Sequence, residues 1–183
     1  MDYIDAMEEI DPKNIIVIDE SGANLGMANE YSRAYGGERA KAPKPHFPGK
    51  KYSIIGAIST SGIEAMTYIE GAVNGDIFFG FIENILIPKL KPGQYVVLDN
   101  VSFHRQPEIA ALIKNAGASI VFLPPYSPDL SPIEKMWSKI KEGLKRFKAR
   151  TVEEFYKALS TMVHSVSSDD CEGWYEECGY NFS

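Results

Sequence analysis

Short apolar runs alternate with amphipathic stretches along this chain, and the two periods predict a regular order of elements. NIIVIDE at 14–20 is apolar at successive positions and ends in acids, the pattern of a strand buried on both faces. KYSIIGAIST at 51–60 and GIEAMTYIE at 62–70 read as two further strands, and the turn Thr60-Ser61-Gly62 between them predicts a hairpin. GDIFFGFIENILIPKL at 75–90 shifts to helical spacing, with Asp76 near its start and Pro88 near its end. A strand at 93–100, a helix at 106–117 with Gly117 past its end, and a strand at 119–125 follow. From 132 to 148, Ile133, Met136, Trp137, Ile140, Leu144 and Phe147 form one stripe of an amphipathic helix. A last helix is predicted at 151–166, with Thr151 as cap and Glu154 three residues later.

A hairpin followed by crossovers of strand and helix predicts an α/β domain whose mixed five-stranded sheet is flanked by helices. Three acids occupy comparable places in that order. Asp19 ends the first strand, Asp99 ends the fourth, and Glu134 opens the helix after the last strand. Ligands of open α/β sheets bind outside the carboxyl ends of strands, so these carboxylates can meet at one point if the first and fourth strands are neighbours. Crowded carboxylates repel unless one is protonated or a cation lies between them. An all-oxygen set with no adjacent His or Cys pattern suits Mg²⁺ or Mn²⁺. Two such ions roughly 3.5–4 Å apart serve phosphodiester chemistry. Each acid also has a local reading: a strand-end Asp caps turns, and Ser131-Pro132-Ile133-Glu134 has the form of a capping box. We expect Ser131 to cap while Glu134 turns toward the aspartates, its approach stiffened by Pro124, Pro125, Pro128 and Pro132.

Composition bounds the rest. The chain of 183 residues, 44% hydrophobic, suits one domain with a substantial core, and no apolar run has the length of a membrane span. The acidic N-terminal residues lack the regions of a signal peptide, and Cys171 and Cys178 match no zinc spacing, so the expected setting is cytoplasmic with reduced thiols. The net charge of −6 is unevenly spread. Residues 135–150 hold seven basic side chains against Glu142 alone, and 39–51 hold five with no acid, whereas the end of the chain is acidic. That asymmetry points to a polyanion on one surface and acidic segments elsewhere. Lys135 and Lys139, a turn apart beside Glu134, are the first candidates for phosphate contacts, with Lys141, Arg105, Lys50 and Lys51 behind them. Glu20 should point to the opposite face of the strand from Asp19. Asn100 and His104 are candidates to support Asp99 or touch phosphate, and Asp129 reads as a turn acid.

IDESG at 18–22, VLDNVSFHR at 97–105 and LPPYSPDLSPIEKMWSKIK at 123–141 together resemble the catalytic domain of DDE transposases, in particular the bacterial insertion-sequence branch of the mariner superfamily. The 34 residues between Asp99 and Glu134 match that branch's spacing. The resemblance spans about 14–150 and implies a ribonuclease H-like core. Residues 1–13 would then be a linker-like lead and 151–183 a C-terminal helix and acidic tail. It implies that Asp19, Asp99 and Glu134 are catalytic and bind two divalent ions. It also implies cleavage at transposon ends, attack of the freed 3′-hydroxyl on target DNA at TA, a synaptic homodimer and a nucleoid-associated protein. Family members carry helix-turn-helix domains ahead of the catalytic domain, and none precedes it here, so that part is expected to be missing or separately encoded. Two rival expectations are a ribonuclease H-like nuclease acting on another substrate and a DNA-binding or dimerisation module without turnover.

Overall fold

The computed structural model describes residues 3, 7, 9–25, 31–33, 39–41 and 50–180. Five strands make one sheet: β1 (Ile15–Asn24), β4 (Lys51–Ser59), β5 (Gly62–Glu70), β6 (Tyr95–Leu98) and β7 (Ser119–Phe122), in the order β5-β4-β1-β6-β7. β4 runs antiparallel to both β1 and β5, while β6 and β7 are parallel to their neighbours, so the sheet is mixed as expected. The first and fourth strands of this sheet do lie side by side. A separate two-stranded ladder, β2 (Tyr31–Arg33) with β3 (Arg39–Lys41), was not foreseen, because three residues are too few to carry a period. Of the basic segment 39–51, residues 42–49 lie outside the described residues.

The helices are α1 (Gly75–Phe81), α2 (Pro107–Asn115), α3 (Pro132–Phe147), α4 (Val152–His164) and α5 (Ser168–Glu177). Beyond α1 the chain widens into a π-helical turn, Ile82–Leu86, and tightens again at Ile87–Lys89, where Pro88 stops it. Asn74, not Asp76, caps α1 by accepting the Ile77 N–H. Thr151 and Glu154 form the expected capping box of α4. The acidic tail, for which no helix was read from the sequence, contains one, α5, capped by Ser167 and Asp170. Its Cys171, Trp174, Tyr175 and Cys178 stand at helical spacing. Cys171 and Tyr175 are buried, and the Tyr175 hydroxyl donates to the carbonyls of Ile15 (3.2 Å) and Ile58 (2.9 Å).

Alternation along β1 divides the core into two layers. Ile15 and Val17 face α3, α4 and α5, whose Trp137, Ile140, Phe155 and Tyr175 share their cluster. Ile16 and Ile18 face α1 and α2, among Phe78, Phe81 and Ile109. β6 repeats the division, with Val97 on the α3 side and Val96 and Leu98 on the other. The two-residue period therefore carries Asp19 and Asp99 to the α3 side and Glu20 to the α1 side.

Candidate active site

β1 is longer than its sequence pattern indicates. Its ladder with β6 stops at Val17–Val97, whereas its ladder with β4 continues to Asn24. Asp19 thus lies two residues past the end of the parallel ladder, inside the strand and not at its end. Asp99 lies two residues past Val97, just beyond the end of the adjoining strand β6. Gly56 stands opposite Asp19 on β4, and a Cβ there would come within 2.8 Å of the Trp137 ring. The missing side chain is what lets Trp137 of α3 reach the sheet, where its Nε1–H donates to Asp19 Oδ2 at 3.0 Å.

Glu134 arrives from the other direction. After β7 the chain passes through Pro124 and Pro125, turns at Tyr126, and makes a tight turn at Pro128–Leu130 before α3 begins. The side-chain cap expected of Ser131 does not form: Ser131 is buried and its side chain makes no cap hydrogen bond. The Glu134 N–H, the donor such a cap takes, goes instead to the Ser131 carbonyl at 3.1 Å. The Ser131 N–H already donates to the Pro128 carbonyl at 3.1 Å, so Glu134 is not required there. Its exposed carboxylate, with those of Asp19 and Asp99, lines one open cleft of about 450 Å³. Asn100, Val101 and Tyr126 complete the rim; Tyr126 is fully exposed with φ 59°, a left-handed backbone held between prolines.

The electrostatics of the two aspartates are opposite. Burial pushes Asp19 up to about 7, and the negative charges of Glu134 and Glu20 add to it against the Glu20 N–H and Trp137 bonds. Burial also raises Asp99, but the bond and charge of His104, with the Val101 N–H, outweigh it and hold that carboxyl below its ordinary value. His104 is buried, its Nδ1 lying 2.5 Å from Asp99 Oδ1 and its Nε2 2.8 Å from Glu20 Oε1. Burial alone would lower its pKa; the two carboxylates raise it to about 9, so the ring donates at both nitrogens as an imidazolium. His104 is therefore a support of Asp99 and is withdrawn from any phosphate contact.

The basic candidates are placed differently from the expectation. Lys135 and Lys139 do not face the cleft: Lys135 pairs with Glu177 at 2.7 Å, and Lys139 with Asp170 at 2.5 Å and the Ser165 carbonyl at 2.9 Å. The acidic helix α5 packs on α3 and neutralises the charges nearest Glu134. Lys50 pairs with Glu70 at 2.9 Å, and Arg105 lies over the Phe122 ring at 5.4 Å. Lys51 is exposed and Lys141 half-buried, neither lining the cleft. Asn100 does line it. Trp137, read from sequence as a core residue alone, also supports the cleft through Asp19, which its buried indole N–H signals because that donor needs an acceptor. Among the described residues no three His, Cys, Asp or Glu side chains are already drawn together as a formed ion site. The donor set nevertheless fits a hard divalent ion: all oxygens, with one buried carboxyl that takes up a proton where no cation compensates it.

A family model of DDE superfamily endonucleases matches residues 14–156. The chain belongs to this family. It is 23% identical over 130 residues to the transposase of the transposable element Tcb1 of Caenorhabditis briggsae, a match covering 69% of this chain and 48% of that protein. It therefore spans about half the length of that curated relative. The fold is similar to that of Mos1 transposase in a paired-end complex with the left transposon end, with TM-score 0.79 at 16% identity, covering 91% of this chain and 52% of that one. A structure of the Mos1 catalytic domain with Raltegravir and Mg gives TM-score 0.69 at 14% identity, over 91% and 78% of the two chains. The chain thus has the ribonuclease H-like architecture expected of it. Among its described residues no helix is long and apolar enough to cross a membrane.

Proposed function

We propose that this chain is a transposase catalytic domain that cleaves DNA at the ends of a mobile element and joins them to target DNA, at TA in the branch its motifs resemble. The observation that supports this most strongly is the shared cleft of Asp19, Asp99 and Glu134, brought from three distant segments to one face of the sheet. When bound, one or two divalent ions, Mg²⁺ or Mn²⁺, would activate the attacking oxygen and stabilise the leaving one. Asp19 from β1, Asp99 from just past the end of β6 and Glu134 from the start of α3 would hold such an ion between them. The Trp137 indole fixes Asp19, while His104 fixes Asp99. Asn100 and the exposed rim stand where a phosphodiester would enter.

Lys135 and Lys139 are not assigned to DNA in this reading; Lys51, Lys141 and Arg105 remain for the backbone. Recognition of element ends falls to a helix-turn-helix region, within the same protein or supplied separately, and a homodimer pairs the two ends in a prokaryotic nucleoid. The test is nicking of element-end duplex in Mn²⁺ or Mg²⁺ by the wild type, Asp19→Asn, Asp99→Asn and Glu134→Gln. Each variant is expected to lose at least about a hundredfold in rate, on the order of an active-site group's contribution. Equal rates in all four proteins would refute the assignment. Cleavage of an RNA–DNA hybrid in preference to duplex DNA would move the function to a ribonuclease.

A further inference from the structure

Glu20 adjoins Asp19 in sequence but belongs to the opposite face of the sheet, and the proposed chemistry leaves it unused. Its Oε1 lies 2.8 Å from His104 Nε2, 84 residues away, and the far side of the same ring lies 2.5 Å from Asp99 Oδ1. The ring has no exposed side-chain surface and is packed against Phe78 (centroids 4.1 Å apart) and, edge to face, Phe103 (4.6 Å). It can neither rotate nor withdraw without displacing aromatic core.

The Asp99 carboxylate is held on one oxygen only. Oδ1 faces both His104 Nδ1 and the Val101 N–H, the latter at 3.3 Å, while among the described residues Oδ2 accepts no protein hydrogen bond. A simple staple between β1 and the turn after β6 would explain one carboxylate on the ring. It does not explain why a buried imidazole is bracketed by two carboxylates, since such ionic groups are often matched in stability by well-packed apolar ones.

We propose that Glu20 and His104 form a clamp that orients Asp99, with Glu20 a positioning residue acting through His104, so that Oδ2 is presented to a divalent cation in the cleft. Glu20 holds Nε2, which sets the plane of the ring; the ring sets the plane of the carboxylate. This rests on Asp99 being an ion-binding residue, and it adds two supporting side chains whose loss acts through geometry.

The test uses the full chain and Mn²⁺ alone, without DNA, followed by titration calorimetry, with thermal unfolding measured in parallel. Glu20→Ala is expected to weaken Mn²⁺ binding about tenfold or more, and Glu20→Gln, whose Oε1 still accepts from Nε2, to restore it to within about threefold of wild type. Leu159→Val, in the opposite core layer, supplies a destabilised control that should bind Mn²⁺ as wild type does. Wild-type affinity in Glu20→Ala together with loss of binding in Asp99→Asn would overturn the clamp and leave the proposed function standing. Wild-type affinity in Asp99→Asn would overturn both. Equal loss of affinity in Leu159→Val would reduce the effect to stability and overturn the clamp.

Discussion

A single indole nitrogen separates two ways in which Asp19 can be buried. The Trp137 Nε1–H at 3.0 Å gives one carboxylate oxygen a donor, and without it burial and the charge of Glu134 would act on Asp19 with less opposition. Trp137→Phe removes the donor together with the Cη2 and Cζ2 atoms that lie over Gly56. It is expected to cost about 2–4 kcal/mol in denaturant unfolding, a lost partner of a half-buried acceptor plus the space left by the smaller ring. It should also raise the divalent-ion concentration needed for half-maximal nicking, because an Asp19 more readily protonated competes less well for the ion. A variant with unchanged ion requirement would show that the indole serves packing alone. The sequence displayed Trp137 on the apolar stripe, but not that Gly56 leaves room for it beside Asp19. That space is a property of two strands and a helix meeting, which no local pattern encodes.

At the scale of elements, helix starts show where local rules hold and where they yield. Thr151 and Ser131 carry the same cap signature, yet Thr151 accepts the Glu154 N–H at 3.2 Å and Ser131 caps nothing. The difference lies in the N–H three residues on, which at Glu134 donates to the Ser131 carbonyl at 3.1 Å and not to its hydroxyl. Thr151→Ala is therefore expected to destabilise the fold by about 1 kcal/mol. Ser131→Ala should cost less than half as much, read as midpoints in urea; equal losses would mean that Ser131 caps in solution. The five strands of the main sheet were legible as apolar runs, and four of the five helices described between residues 75 and 177 as helical periods. α5 was hidden by its charge: Asp169, Asp170, Glu172, Glu176 and Glu177 mask an apolar stripe that only the neighbouring helices make sense of. That Asp19, Asp99 and Glu134 share a cleft was legible because apolar runs and helix starts are local features, although β1 runs on past Asp19. His104 was legible as a support of Asp99, but its bond to Glu20 was not, since that joins residues 84 positions apart.

For the molecule as a whole, the charge pattern predicted a basic face and an acidic tail apart from each other, and folding brings them together through Lys135–Glu177 and Lys139–Asp170. What remains uncompensated is the cleft, and pH reads it out. Asp19 has a folded pKa of about 7 against 3.8, so the native state holds its proton more firmly than the unfolded chain does. Its contribution is full below about pH 4 and lost as pH rises to 7. His104, at about 9 against 6.5, contributes fully below 6.5 and loses that contribution as pH rises through 9. Asp99 has the opposite sign: its depressed pKa favours the fold above its ordinary value and is lost only in acid. Across the interval from about pH 4 to 9 the first two act in the same direction, each with a slope of at most about 1.4 kcal/mol per pH unit. The ion-free protein is thus expected to melt at progressively lower temperature as pH rises over that interval. A divalent ion bound in the cleft as proposed would replace the proton on Asp19, so Mg²⁺ should raise the melting temperature more at pH 8 than at pH 5. Asp19→Asn should flatten the lower half of the profile and remove most of the Mg²⁺ effect, leaving the decline between 6.5 and 9 that belongs to His104. A melting temperature that climbs with pH in the absence of ions, or a Mg²⁺ effect unchanged in Asp19→Asn, would mean that the cleft carries no such uncompensated charge.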